Sequence, residues 1–178
     1  MGIKLRSGKK SQFYIHCRMV QNSEWGPHLW NILHMCAEKC GKQSTYTLHI
    51  DQVRAWIQLL KLTEAILPCA LCQKHYKEWL HTHTLSSFLE KRISSEFHEA
   101  AKKWVWKLHN HVNKERKISE LDYDDIIPTY SLKTTKDLQE SIEKLKEVLE
   151  RAKLQRQVDG IYIREWFACL SSLRRLMV

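Results

Sequence analysis

Three short stretches decide the fold of this chain: WGPHLWNILH at residues 25–34, PCALC at residues 68–72 and WKLHNHVN at residues 106–113. The first and third place Trp, His and Asn side chains at helical spacing, and the second holds a C-x-x-C pair directly after a proline. A C-x-x-C on its own can be a redox disulfide or half of a zinc site. In this order, the three stretches indicate a helical protein with a reactive cysteine pair set between two helices.

Composition narrows the class of protein. The chain of 178 residues fits either one domain or one domain with an appendage, and 43% hydrophobic residues are enough for a core. Five glycines and three prolines are few, which favours helices over a turn-rich β fold. No apolar run is long enough to span a bilayer, and the basic residues near the N-terminus lack the apolar segment of a secretory signal. We therefore expect a soluble protein that is not secreted.

The charge is strongly basic, at +9 from 29 basic and 20 acidic residues. Residues 1–20 contain several basic residues and no acidic one, so we expect a basic flexible arm over residues 1–22. A solvated basic surface explains the remaining charge better than a nucleic-acid site does.

Apolar residues at helical spacing predict four helices: over residues 27–40, over residues 49–67, from the C-x-x-C to about residue 80, and onward from Ser94 and Ser95. Pro27 suits a first helical position, Gly41 a C-terminal stop, and the two serines an N-cap. Short connections predict an antiparallel bundle, with one more helical turn at residues 122–127.

Two amphipathic helices are predicted after the bundle, over residues 136–157 and beyond Gly160. Two alternatives stay open for them. They either pack on the bundle or form an appendage that binds a second copy or a partner.

Cys69 and Cys72 are the candidate catalytic residues. They lie at the predicted start of the third helix, where unpaired N–H groups and the helix dipole stabilise a thiolate. Their i, i+3 spacing lets the sulfurs meet in a disulfide that is closed yet reducible. Such a pair suits thiol–disulfide exchange, which then needs an electron acceptor for turnover.

The flanking motifs are suited to holding that acceptor. Aromatic rings can stack on a flat cofactor, while His and Asn supply directional hydrogen bonds. The candidate cofactor-binding residues are Trp30 and His34 on the first helix and Trp106, His109, Asn110 and Asn113 on the fourth.

These motifs, over about residues 25–130, resemble the Erv/ALR family of FAD-dependent sulfhydryl oxidases. The first motif is most similar to the WGPxxWxxLH of compact members encoded by large cytoplasmic DNA viruses. The resemblance implies an all-α fold: an antiparallel four-helix bundle with a short fifth helix, holding FAD at its mouth. We accordingly divide the chain into an arm (1–22), an FAD-binding bundle (23–130) and a helical C-terminal extension (131–178).

The resemblance also implies the chemistry. A protein thiol or redox partner would pass electrons to Cys69, which faces the incoming thiol, and Cys72 would lie beside the FAD. Oxygen would accept the electrons and yield hydrogen peroxide. Lys117 matches a lysine near the FAD phosphates, and Tyr130 an aromatic that closes the adenine site. The family resemblance and the apolar stripes of the two late helices favour a homodimer. The viral likeness implies action in the host cytoplasm, at the virus factory and in the virion. We expect neither a membrane nor nucleic acid as a partner, since no apolar run spans a bilayer and a solvated surface accounts for the basic charge.

The chain departs from the family pattern in its other cysteines. Many members join the fourth helix to the following segment by a C-x16-C disulfide, but Trp106 and Tyr123 stand at those positions. There is no second C-x-x-C to shuttle electrons, and Cys17 and Cys169 are lone candidates that we interpret as free or buried thiols. Cys36 and Cys40, at i, i+4 in one helix, have poor geometry for a disulfide.

The alternative function is a zinc-binding helical interaction module that uses Cys36, Cys40, Cys69 and Cys72. Two points count against this alternative. Cys36 and Cys40 would lie on a helix, far from Cys69 and Cys72, and the Trp, His and Asn motifs would have no explanation. A thioredoxin-like fold would need βαβ units, and the sequence shows no convincing strand pattern.

Overall fold

The computed structural model describes residues 18–177, and every regular element within them is helical. The helices are α1 (Asn22–Lys39), α2 (Tyr46–Ile66), α3 (Ala70–Thr82), α4 (Ser94–Glu115), α5 (Tyr123–Ser131), α6 (Thr135–Leu154) and α7 (Gly160–Arg175), with a 3-10 helix at Leu85–Glu90. The all-α prediction is confirmed. Cys17 and most of the predicted arm lie outside the described residues.

Helix α1 begins earlier than predicted, at Asn22 rather than Pro27. The Gln21 N–H donates to the Glu24 carboxylate at 2.8 Å, which satisfies a backbone donor ahead of the first turn. Pro27 therefore lies inside the helix, close enough to its start for the missing N–H to be tolerated.

Three smaller predictions about helix ends need correction. Ser94 is not a cap but the first residue of α4, and its hydroxyl donates to the Gln43 carbonyl at 3.0 Å. Gly160 does not separate two helices but opens α7, whose cap is Asp159. The short turn predicted at residues 122–127 extends into α5, because the Asp122 side chain caps it and the helix continues through Pro128 to Ser131.

The C-terminal helices pack on the bundle, which decides between the two alternatives. Helix α6 lies along α1 and α7 lies along α2, and their buried apolar residues belong to one core with those of the bundle. Trp166 of α7 is fully buried, and its indole N–H donates to the Thr63 hydroxyl of α2 at 3.0 Å. The boundary drawn between residues 130 and 131 stays a prediction, and it cuts through this shared core.

Two glutamines after α6 hold the segment that enters α1. The Val20 N–H lies 3.0 Å from Oε1 of Gln155 and of Gln157. The Gln157 amide also donates to the Pro68 carbonyl at 2.9 Å. Close by, Arg151 pairs with Glu24 at 2.8 Å. The extension therefore ties the start of α1 to the turn that leads into α3.

Candidate active site

Cys69 and Cys72 form a disulfide at the start of α3, with their Cα atoms 5.2 Å apart. Pro68 precedes the pair, so α2 has ended and the chain turns into α3 there. Cys69 is the N-cap residue, and its sulfur accepts the Cys72 backbone N–H at 3.1 Å. The Asn22 side-chain amide donates to the Cys72 sulfur at 3.4 Å. Each sulfur thus has its own hydrogen-bond donor, which suits a pair that passes through thiolate states.

An apolar cavity of about 210 Å³ opens beside this disulfide, between α1, α3 and α4. Both cysteines line it, opposite Trp30 and Leu33 of α1 and Leu108 of α4. Trp25 lines it too, and its buried indole N–H has no hydrogen-bond acceptor among residues 18–177. The indole N–H groups of Trp56 and Trp79 are likewise buried and unpaired among these residues. The apolar lining of the cavity fits a flat apolar ligand.

Cys69 also borders a second, shallower depression, lined by residues 20–23, Pro68 and Arg116. The lining of this depression does not include Cys72. Of the two cysteines, Cys69 therefore borders both the cavity and this depression, whereas Cys72 borders only the cavity.

The rings of Trp30, His34, His109 and Tyr130 form a cluster next to the cavity, and Trp30 lines the cavity as well. Trp30 stacks on His109 with centroids 4.0 Å apart, and His34 stacks on Tyr130 at 4.3 Å. His34 Nε2 and His109 Nδ1 lie 3.0 Å apart and join the two stacks. Four of the predicted cofactor residues are thus brought together from α1, α4 and α5.

The two histidines of this cluster are held neutral. Burial lowers the pKa of His34 to about 3, with the neighbouring His109 and Lys133 adding to the effect. Burial also lowers the pKa of His109 to about 4, helped by Arg116. A single bond between two ring nitrogens needs one donor and one acceptor, which neutral imidazoles provide.

We predict that this pair makes the protein less stable in mild acid. The unfolded pKa is about 6.5, above both folded values, so the unfolded state binds more protons. The contribution to stability is complete above about pH 6.5 and is lost as the pH falls toward 4 and then 3. From pH 7 to 5, the free energy of unfolding should fall by up to about 2 kcal/mol per histidine. Urea unfolding at several pH values measures this.

The control for this prediction is the double variant His34→Phe with His109→Phe, which keeps aromatic rings but cannot take up a proton. Its stability should depend less on pH between 5 and 7. An unchanged slope would show that the two imidazoles do not cause the loss.

Three of the predicted residues hold a loop, and their polar groups are not turned to the cavity. The Trp106 indole and the Asn110 amide both donate to the Leu121 carbonyl, at 2.8 and 2.9 Å, and Asn110 also accepts the Leu121 N–H at 2.8 Å. The Asn113 amide donates to the Ser119 carbonyl at 3.4 Å. They fix the connection from α4 to α5, the helix that supplies Tyr130.

Lys117 lies in that connection, exposed and in the left-handed region at φ 55°. Another cation, Lys133, reaches the ring cluster instead. Its ammonium lies 4.6 Å from the Tyr130 ring centroid and donates to the Asn31 side chain at 2.6 Å. The assignment of Lys117 to a cofactor phosphate stays a prediction.

Sequence analysis missed several residues that line the cavity: Asn22, Trp25, His75, Tyr76, His111 and Arg116. Two of them had a signal, because His75 and Tyr76 follow Cys72 by three and four residues and share its helix face. Trp25 and His111 stand inside the quoted motifs. Asn22 and Arg116 had no such signal, since they reach the site through helix ends.

The remaining described cysteines lie away from the disulfide. Cys36 and Cys40 are free and buried, in agreement with their unsuitable spacing for a disulfide. Burial raises the pKa of Cys36 to about 12 and that of Cys40 well above its usual range. Cys169 is free and half-buried, and its thiol lies 3.4 Å from the Ala55 carbonyl. Thiols of this kind are unreactive.

The zinc alternative loses its support in this arrangement. One of its cysteine pairs is closed in a disulfide, and the other is buried at the end of α1. Within residues 18–177 no three His, Cys, Asp or Glu side chains are grouped so that they could hold a metal ion.

The fold and site define a helical protein with a disulfide at a helix start, beside an apolar cavity. The family model described as the Erv1/Alr family matches residues 27–150, which run from α1 into α6. This match covers more than half of the chain, and the protein therefore belongs to the Erv1/Alr family. The comparison with curated proteins found no match, and neither did the comparison with solved structures. Membership indicates a thiol oxidoreductase of the sulfhydryl oxidase type, in a family whose members generally bind FAD.

Proposed function

We propose that this protein is an FAD-dependent sulfhydryl oxidase that forms disulfide bonds in protein thiols and uses oxygen as the final acceptor. The observation that carries the proposal is the Cys69–Cys72 disulfide, which lies at a helix start and lines an apolar cavity between α1 and α4. Family membership supports the class of reaction.

In the proposed thiol exchange, the substrate attacks Cys69, because Cys69 borders the second depression and Cys72 does not. A substrate thiolate reaches the Cys69 sulfur through the shallow depression, forms a mixed disulfide with it and displaces Cys72 as a thiolate. A second substrate thiolate then attacks the substrate sulfur and releases Cys69. The substrate becomes a disulfide, and the cysteine pair gains two electrons.

The residues present fit FAD as the acceptor. The apolar cavity suits a flat ring system beside Cys72, and the ring cluster offers Trp30, His109 and Tyr130 for stacking. The chemistry that bound FAD supplies is acceptance of the electron pair and its delivery to oxygen, which yields hydrogen peroxide. The chain's own part is to exclude water with apolar walls and to hold the sulfur of Cys72 at the cavity.

The site roles of Trp30, His34, Trp106, His109, Asn110, Asn113, Lys117 and Tyr130 are part of this proposal. Trp30, His34, His109 and Tyr130 would contact the cofactor directly. Trp106, Asn110 and Asn113 would act by fixing the loop before α5, whose polar contacts they already make.

The finer assignments rest on the resemblance of the first motif to compact viral members. They are action in the host cytoplasm, at the virus factory and in the virion, on a protein thiol or a redox partner. The proposed homodimer needs a new surface, because the apolar faces of α6 and α7 that favoured it are covered by α1 and α2. No helix within residues 18–177 has both the length and the hydropathy that crossing a bilayer requires.

A visible absorption spectrum of the purified protein tests the proposal, taken before and after dithiothreitol is added without oxygen. We expect a flavin band that bleaches with the reductant and returns with air, with release of hydrogen peroxide. A colourless protein that takes up no added FAD would contradict the proposed function.

A further inference from the structure

The two sulfurs of the disulfide receive hydrogen bonds from different parts of the fold. Cys69 accepts one from the backbone of its own helix, through the Cys72 N–H at 3.1 Å. Cys72 accepts one from the Asn22 side chain, 50 positions earlier in the chain and at the first turn of α1. Only the second donor can be removed by a side-chain substitution that leaves α3 unchanged.

We propose that Asn22 is a further catalytic residue of the proposed oxidase and that its amide N–H stabilises the thiolate of Cys72. When a substrate thiolate attacks Cys69, the new bond joins the substrate sulfur to the Cys69 sulfur, and the Cys69–Cys72 bond breaks. The electron pair of that bond stays on Cys72, which leaves as a thiolate. A donor already placed at this sulfur favours the charged form and makes Cys72 a better leaving group.

Among the residues of α1 that line the cavity, Asn22 is the one that donates a hydrogen bond to the Cys72 sulfur. The cavity lining contributed by α1 contains no titratable side chain. Charged and titratable groups face the cavity from the other helices: His75 and Tyr76 on α3, and His111, Glu115 and Arg116 at the end of α4. These groups stay in place when Asn22 is changed, so a shift in the Cys72 titration reports the loss of the amide.

The C-terminal extension positions Asn22. Gln155 and Gln157 both accept the N–H of Val20, two residues before Asn22. Gln157 also donates to the Pro68 carbonyl, directly before Cys69. One side chain of the extension thus connects the segment that carries Asn22 with the turn that carries the disulfide, and Gln157 is a positioning residue for this contact.

The test measures the thiolate directly, in a Cys69→Ser background that leaves Cys72 as a free thiol. The rate of iodoacetamide alkylation at Cys72, followed on its own peptide by mass spectrometry, gives the apparent pKa. The variant Asn22→Leu keeps the branching at Cγ but lacks the donor. We expect it to raise this pKa by about half to one pH unit, which means about three- to tenfold less thiolate at neutral pH. Asn22→Ala, a smaller change, should move the pKa in the same direction.

Matched variants separate this role from a structural one. Thr47→Ala alters an exposed residue in the first turn of α2 that lines neither the cavity nor the depression, and should leave the pKa unchanged. Gln157→Ala should raise it in the same direction as Asn22→Leu, while Gln139→Ala, a glutamine of α6 far from Val20, should not. A pKa unchanged in both Asn22 variants would overturn the proposal, and an effect of Asn22 without one of Gln157 would overturn the positioning role.

The inference rests on the proposed function, but the two can fail separately. The alkylation assay needs neither flavin nor oxygen, whereas the absorption spectrum needs both. A bleaching flavin band together with an unmoved thiolate pKa would leave the oxidase intact and remove Asn22 from its mechanism.

Discussion

Replacing either Cys69 or Cys72 by serine is expected to lower dithiol-dependent oxygen consumption by at least about a thousandfold. In the proposed mechanism the two sulfurs act as one unit, since exchange at Cys69 needs Cys72 to leave as a thiolate. Loss of one cysteine should therefore cost about as much as loss of both. Oxygen consumption with dithiothreitol as substrate, measured with FAD present in excess, gives the comparison.

If the protein binds FAD as proposed, the same variants should keep the flavin, because serine is close in size to cysteine and the other cavity walls are unchanged. The flavin absorbance per protein measures this. Cys169→Ser is the matched control, since this thiol is half-buried, lies away from the disulfide and has a pKa raised by burial to about 11. Undiminished turnover in both the Cys69 and the Cys72 variant would refute the proposed mechanism.

Replacing Trp166 by alanine is expected to lower the free energy of unfolding by about 3–5 kcal/mol. The side chain is fully buried between α7 and α2, and its N–H donates to the Thr63 hydroxyl at 3.0 Å. The substitution would leave a large cavity in the shared core and remove that hydrogen bond. Urea unfolding followed by circular dichroism measures the loss.

Two further variants serve as controls for the Trp166→Ala measurement. Tyr162→Ala changes an aromatic residue of the same helix that is 43% exposed, and its effect should stay within about 0.5 kcal/mol. Trp166→Phe keeps most of the apolar contact and should cost about 1–2 kcal/mol. A loss below about 1 kcal/mol for Trp166→Ala would mean that α7 does not share the core of the bundle.

Sequence reasoning predicted the helical fold because apolar periodicity is a local signal. The end of α2 was predictable from Pro68, and the start of α3 from the cysteine pair. Both signals depend only on residues that are adjacent in the sequence. The early start of α1 was missed because Gln21 is an unusual residue before a helix. The 3-10 helix at Leu85–Glu90 was missed because short helices of this type depend on what their residues pack against.

The parts of the candidate site that could be predicted are those in which helical periodicity alone determines which way a side chain faces. His34 and His109 meet because each lies on the inner side of its helix, at a position that periodicity indicates. Trp106, Asn110 and Asn113 share a helix side as expected, but the loop at residues 117–122 accepts their hydrogen bonds. A loop conformation of this kind depends on contacts between distant parts of the chain, and so does the approach of Asn22 to Cys72.

The cap of α3 has a consequence for repeated cycles of oxidation and reduction. The Cys69 sulfur accepts the Cys72 N–H in the oxidised protein, and a thiolate is a stronger acceptor than a disulfide sulfur. We therefore expect the first turn of α3 to keep its shape when the disulfide opens, so that the proposed exchange needs little movement of the backbone.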